Sequence, residues 1–187
     1  IGRAFLYDIL KRITETGTSI DQYLSGLEGL DLIRVQAMAP ELEYIFKHAL
    51  SQEVVYSGLL KKERRKIHER IGIAIEQLFS DRLSEFCEII AYHFQRGHST
   101  KKAIEYLMKS GEKCLKKFAL EEAHQYYQLS LELMPVEGLA ANENKSILFA
   151  ILNQWAFVYY YRGDMGGIYK LFNRYRDQVH DFDDKAA

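Results

Sequence analysis

The chain carries six histidines, His48, His68, His93, His98, His124 and His180. Imidazole is the side chain best suited to metal ligation and to proton transfer near neutral pH. The spacing of these residues points to neither. There is no HExxH pair and no Cys/His cluster, so no metal site is expected. Glu121 and Glu122, and Asp181, Asp183 and Asp184, lack a framework for general acid–base work and read as surface carboxylates. No GxxxxGK(S/T) loop is present to cradle phosphates, and GDMGG at 163–167 reads as a helix–helix turn. No Ser-His-Asp or Cys-His relay emerges. The expected catalytic set is empty, so this segment should not be an enzyme and should not hydrolyse ATP.

Two groups are better suited to binding than to catalysis. Lys61, Lys62, Arg64, Arg65, Lys66 and Arg70 form a cationic run that could meet phosphates or an acidic partner. Glu63 and Glu69 are interspersed on the same amphipathic helix, so a solvated face is the preferred reading. The other group is aromatic: Trp155, Phe157, Tyr159, Tyr160, Tyr161, Tyr169 and Phe172. Most of it suits a helical core. Three adjacent tyrosines cannot all point inward, so Tyr160, Tyr161 and Tyr169 are the candidate lining of a peptide-binding groove.

With 187 residues, 48% hydrophobic and 27% charged, the chain can bury a substantial core. A net charge of −1 argues against a general nucleic-acid or membrane-surface binder. No apolar run approaches the ~20 residues of a spanning helix. Cys87 and Cys114 sit in helical contexts and read as free buried thiols in a reducing cytoplasm. The chain opens at Ile1 on residues that already look structured, and it has only two prolines and no Ser/Gly-rich linker. It reads as a piece of a longer polypeptide.

The elements that must position these groups are mostly helices. Phe5, Ile9, Leu10 and Ile13 follow helical spacing, with Gly17 as the stop. Ser19 and Gln22 suggest a capping box for a second helix ending at Gly29. Residues 32–36 and 44–46 then read as a hairpin around Ala39 and Pro40. Two helices and a hairpin resemble a winged-helix module lacking its first helix, assigned to residues 1–60. Its candidate recognition helix, SIDQYLSGLEGL, has Asp21 and Glu28 but no Lys or Arg, so protein packing is expected in place of DNA binding. After His48 the period becomes helical, with Leu50, Val54 and Leu59 on one face and Ile67, Ile71, Ala74, Ile75 and Leu78 on the next. Ser99 is the expected cap of a later helix.

Residues 61–187 read as an α-solenoid of tetratricopeptide-like helix pairs, in which small residues stand where two helices cross. The first pair offers Leu107, Gly111, Leu120, Ala123, Tyr127, Ser130 and Pro135 at that spacing. The second offers Leu152, Ala156, Tyr159, Gly163, Asp164 and Phe172, but departs at Ile168 and in the displaced Trp155. Helices at 64–79 and 82–95 would form a degenerate unit. A solenoid ending here exposes an apolar face, which predicts further repeats or self-association.

The central stretch YIFKHALSQEVVYSGLL, then RRKIHERIGIAIE, IIAYHF and KKAIEYLMKSGEKCLKKFALEEAHQYYQLSLELM, resembles a bacterial arrangement. It looks like the region downstream of the ATPase core in signal-transduction ATPases of the STAND class. Those fused to class III adenylate or guanylate cyclases, or to protein kinases, are the most similar. The resemblance implies a winged helix followed by tetratricopeptide-like repeats, with ATP or ADP and Mg bound by the parent chain and no cofactor in this segment. Relatives with a Met-His-Asp motif at the end of the winged-helix strand use its His to sense the β-phosphate of ADP. His48, in FKHAL, stands at the matching junction, with Ala49 replacing the Asp. An imidazole N–H can donate to phosphate, while a local structural hydrogen bond is the competing role.

The expected function is therefore a non-catalytic regulatory and protein-interaction segment of a cytoplasmic signalling ATPase, coupling partner binding to nucleotide state. Its partners would be proteins or peptides and the ATPase core of the same chain, without nucleic acid or membrane. A transcription regulator with the same ATPase–repeat layout, or a free-standing tetratricopeptide scaffold, are the alternatives.

Overall fold

The computed structural model describes residues 2–14, 19–134 and 142–176, the last range without the side chains of 142 and 143. Within it the chain is mainly helical, with nine helices and one three-stranded antiparallel sheet near the N-terminus. No described helix is long and apolar enough to cross a membrane. The chain divides into two compact units, Ile1–Ser99 and Thr100–Ala187.

The first unit begins with β1 (Ala4–Leu6), α1 (Tyr7–Ile13) and α2 (Ile20–Gly29), followed by β2 (Ile33–Ala37) and β3 (Glu43–Phe46). The sheet order is β1-β3-β2, so the first strand lies outside the hairpin and pairs with β3. This corrects the helical reading of Phe5. Its ring stacks on Tyr44 across the β1–β3 pair at 5.8 Å, and strand pairing overrides a period that only Ile9, Leu10 and Ile13 continue. A bulge between Val35 and Ala37 interrupts the β2–β3 register ahead of a cis Ala39–Pro40 peptide. Leu24, Ile33 and Tyr44 form the buried centre, with Phe5, Leu10, Leu27 and Phe46 packed around them.

Ser19 stands at the N-cap of α2 but makes no side-chain capping bond. The far end closes by backbone alone: Asp31 at φ 61 and Leu32 donate to the carbonyls of Glu28 and Leu27, a Schellman motif. The expected stop at Gly17 lies outside the described residues.

The unit continues through α3 (Ala49–Gly58), α4 (Lys61–Leu78) and α5 (Leu83–Arg96). α3 has no buried residue: among the described residues Leu50 and Val54 of the expected apolar face are exposed and Leu59, just past its end, is half-buried. α4 instead packs on both sides, against α1 and α5. Ile71, Ala74 and Ile75 are buried along it, whereas Leu78 is partly exposed. Where α4 meets α5, a Cβ on Gly72 would stand 2.9 Å from the Phe94 ring. The absence of a side chain at 72 permits that approach.

The second unit comprises α6 (Thr100–Lys116), α7 (Leu120–Glu132), α8 (Asn142–Tyr161) and α9 (Met165–Arg174). Its core runs through Ile104, Ala123, Tyr127, Leu148, Ile151, Leu152, Val158 and Leu171. Gly111 admits the Tyr127 ring, because a Cβ there would lie 2.7 Å from it. In the α8–α9 pair the glycine is on the second helix: a Cβ on Gly167 would collide with Tyr159. Small residue and aromatic have exchanged helices. Ile168, where a small residue is usual, stands half-exposed beside that contact. Pro135, expected to end α7, lies outside the described residues.

Candidate functional sites

His48 is placed by backbone pairing on either side. The Phe46 N–H donates to the Arg3 carbonyl at 2.9 Å and the Lys47 N–H to the Leu32 carbonyl at 3.0 Å. These bonds hold the chain in line with the sheet up to Lys47. His48 is still extended (φ −118, ψ 125), and α3 starts at Ala49, with the Ser51 N–H donating to the His48 carbonyl at 3.2 Å. Its side chain is exposed and makes no capping bond to α3. The neighbouring Lys47 ammonium pairs with Asp31. The junction thus presents an exposed imidazole at the start of a helix, without a side-chain hydrogen bond among the described residues and able to donate one to an anionic oxygen. A nucleotide phosphate offers several acceptors, so the remaining donors would have to come from elsewhere.

The aromatic group separates into inside and outside. Trp155 is buried and its Nε1 donates to His124 Nδ1 at 2.9 Å, tying α8 to α7. This explains its displaced position: it packs on the preceding pair. Tyr160, Tyr161 and Tyr169 are all exposed, Tyr169 at 72%. The rings of Tyr160 and Tyr161 meet edge-on at 5.6 Å, and Tyr161 meets Phe118 at 5.5 Å. Tyr169 instead lies in a separate open groove of about 490 Å³ along α9, with Met165, Ile168 and Phe172. Hence Tyr160 and Tyr161 are neighbours, and Tyr169 belongs to the outer face of α9.

His68 and His93 are 25 residues apart in the sequence, but the fold brings them together. Their Nδ1 atoms stand 2.9 Å apart, both rings are buried, and the Tyr56 hydroxyl sits 3.0 Å from His68 Nε2. One Nδ1 must donate and the other accept, and Tyr56 serves either tautomer of His68. Burial pushes the pKa of His68 down to about 4 and that of His93 to about 3, with Arg96 adding to both. A usable signal was present: His68 shares a helical face with Ile71 and Ile75, and His93 adjoins buried Phe94.

The cationic run on α4 is largely committed to structure. The Arg65 Nε donates to the Gly97 carbonyl at 3.1 Å, Arg70 donates to the Ile13 carbonyl, and Lys66 pairs with Glu63 at 3.0 Å. The Arg64 guanidinium lies over the Tyr56 ring. Glu69 accepts from the His98 and Ser99 N–H groups at 2.7 and 3.1 Å and from the Ser99 hydroxyl. Burial pushes the Glu69 pKa up, but these donors outweigh it and hold the group below its ordinary value. Ser99, expected as a helix cap, spends its hydroxyl on Glu69. Cys87 is buried, Cys114 is half-buried where burial was expected, and neither is in a disulfide. Among the described residues no three metal-ligating side chains converge.

Comparison with known proteins adds one partial likeness. A Rhizobium meliloti (strain 1021) protein described as uncharacterized is 28% identical over 90 residues, which is 48% of this chain and 9% of the relative. The chain therefore spans about a tenth of that relative's length. No family model and no solved structure matches.

Proposed function

We propose that the chain is a non-catalytic regulatory and protein-interaction segment of a larger signal-transduction ATPase of the STAND class, linked to a class III nucleotide cyclase. The carrying observation is the junction at His48, where a strand end delivers to the start of a helix an exposed imidazole that makes no capping bond. The first unit supports the winged-helix reading through its β1-β3-β2 order, with two helices between the first strand and the hairpin. In this reading the parent's ATPase core holds the nucleotide and Mg, and His48 donates to the β-phosphate of ADP. Ala49 supplies no carboxylate, so the imidazole acts without the acidic neighbour of the full motif.

The second unit supports the tetratricopeptide reading through its two helix pairs, each with a glycine fitted against a tyrosine. Tyr160, Tyr161 and Tyr169 then offer rigid, amphipathic contact area to a protein or peptide. A partner that prefers one nucleotide state shifts the population toward it, and nucleotide alters partner affinity by the same factor. The test is His48→Ala in the full-length parent. Loss of a charge-assisted phosphate contact should weaken ADP retention by about tenfold or more. Unchanged ADP content and exchange would overturn the sensor role. Tyr169→Ala should weaken partner binding and leave the intrinsic ADP affinity of the unliganded protein alone.

A further inference from the structure

α9 packs on α8 with Leu171 buried, and turns its other side outward. The open groove of about 490 Å³ on that side is lined by Met165, Ile168, Tyr169, Phe172, Asn173 and Arg176. Every one of these belongs to α9 or to the two residues that follow it, so the groove is a furrow between side-chain rows of one helix. A furrow of this kind accepts the side-chain ridge of a second helix, at an interaxial separation of about 8–10 Å. An extended chain would find neither a strand edge nor a second wall in it. Met165 and Tyr169, 63% and 72% exposed, are the apolar bodies that such a helix would cover.

Charge on the same stretch says which helix fits. From Met165 to Arg176 the sequence carries Lys170, Arg174 and Arg176 and no Asp or Glu. All three cations are exposed, Lys170 and Arg174 stand about one turn apart, and Arg176 lines the groove itself. Among the described residues none of the three is in an ion pair, and the Arg174 guanidinium lies over the Tyr175 ring. Asp164, the described carboxylate nearest in sequence, accepts from the Gly167 N–H. We infer that the outer face of α9 docks an acidic amphipathic helix of a partner protein. Its apolar stripe would cover Met165 and Tyr169, with carboxylates beside Lys170, Arg174 and Arg176. A basic helix would be repelled, and a second copy docked by the same face would set these cations against their own images. An anionic membrane fits less well, because Ile168 and Phe172 are already half-buried and leave little apolar surface to insert. The inference rests on the protein-interaction reading of Tyr169 and is independent of the ATPase reading.

The test uses the protein at its full natural length and two synthetic helical peptides of about fourteen residues, about 21 Å long. Both carry leucine at the i, i+3, i+4 and i+7 positions, flanked by glutamate in one and by lysine in the other. At low salt the glutamate peptide should bind about tenfold or more tightly, since each attraction becomes a repulsion in its counterpart. The margin should shrink at about 0.5 M salt. The triple variant Lys170→Gln, Arg174→Gln, Arg176→Gln should remove the preference, and Tyr169→Ala should weaken the glutamate peptide at either salt concentration. All four positions are exposed, and far-ultraviolet circular dichroism checks each fold. Equal binding of the two peptides overturns the inference, as does a preference that survives the triple variant. Absence of binding at millimolar peptide also overturns it, and is the result expected if another helix of the parent chain covers α9. Dimerisation lost in Tyr169→Ala would assign the face to a second copy, and binding to phosphatidylserine vesicles lost in the triple variant would assign it to lipid. Either would overturn the inference. If the triple variant changes nothing while Tyr169→Ala still weakens a natural partner, the acidic helix fails and the protein-interaction reading stands.

Discussion

The α4–α5 and α6–α7 pairs solve the same packing problem and differ in what they bury beside it. Each places a glycine under an aromatic ring, Gly72 beneath Phe94 and Gly111 beneath Tyr127. In the first pair the neighbouring interior is polar: two imidazoles touch, Tyr56 closes one end, and Glu69 holds the loop that follows. In the second, Ala103, Ile104, Leu107 and Ala123 are buried, and the polar members Ser110 and Ser130 donate to carbonyls of their own helices. Close approach is thus common to both pairs. Sensitivity to protons should belong to the first.

That difference predicts the largest effect, in acid. The native pKa values of His68 and His93, about 4 and about 3, lie below the ordinary value of about 6.5 expected in the unfolded chain. As pH falls through 6.5 the unfolded state takes up protons that the native state refuses. Stability is therefore complete above about pH 6.5 and declines down to about pH 4 for His68 and about pH 3 for His93, by roughly 1.4 kcal/mol per pH unit for each imidazole kept neutral. Urea unfolding followed between pH 7 and pH 4.5 should show the first unit losing several kcal/mol. The second unit should lose less, since His124 is lowered in the same direction but is the one shifted histidine described there. The double variant His68→Leu, His93→Leu should flatten the dependence of the first unit. If its slope matches wild type, the contrast between the pairs is wrong.

The glycines test what the pairs share. An alanine Cβ at 72 or 111 would stand 2.9 or 2.7 Å from ring atoms that are themselves buried. Such overpacking should cost about 1–3 kcal/mol at each site, read as a lower denaturation midpoint with unchanged m-value. Gly26, whose Cβ would meet nothing within 4 Å, supplies the control. Gly26→Ala in the middle of α2 should be neutral to stabilising, because alanine is the better helix former. Equal losses at all three positions would mean that ring packing is not what selects glycine here.

How much of this was readable from residues alone follows from the range of the forces. Local signals carried well: helical periods located α2, α4 and α5 to within a few residues, and Gly163-Asp164 marked the α8–α9 turn, where the Asp164 side chain accepts from the Gly167 N–H at 2.8 Å. His48 was placed at its junction because a strand end and a helix start are both local events. Signals that require distant partners were lost. Phe5 looked helical because its strand partner, Tyr44, is 39 residues away along the chain (44 − 5). His68 and His93 looked isolated because their contact depends on how α4 crosses α5. Arg64 looked like one member of a charged face, although its Nε is turned inward and buried.

The smallest expected effect lies in the two turns that close the pairs of the second unit. Both are Schellman motifs. Phe118 and Ala119 donate to the carbonyls of Leu115 and Cys114, and Gly163 and Asp164 donate to those of Tyr160 and Tyr159. Each turn needs a left-handed residue, filled by Phe118 at φ 56 in one and by Gly163 at φ 69 in the other. A side chain in that region costs about 1–2 kcal/mol, which glycine avoids. Gly163→Ala should therefore lose about 1 kcal/mol through backbone strain alone, since its Cβ would meet nothing within 4 Å. Phe118→Gly should gain about 0.5 kcal/mol, the strain relief being offset by the extra freedom of the unfolded glycine and the lost edge contact with Tyr161. Phe118→Ala keeps the strain and removes only the ring, so its loss measures that contact. If Phe118→Gly is less stable than Phe118→Ala, the left-handed backbone at 118 carries no strain for glycine to relieve, and the two turns are alike in geometry only.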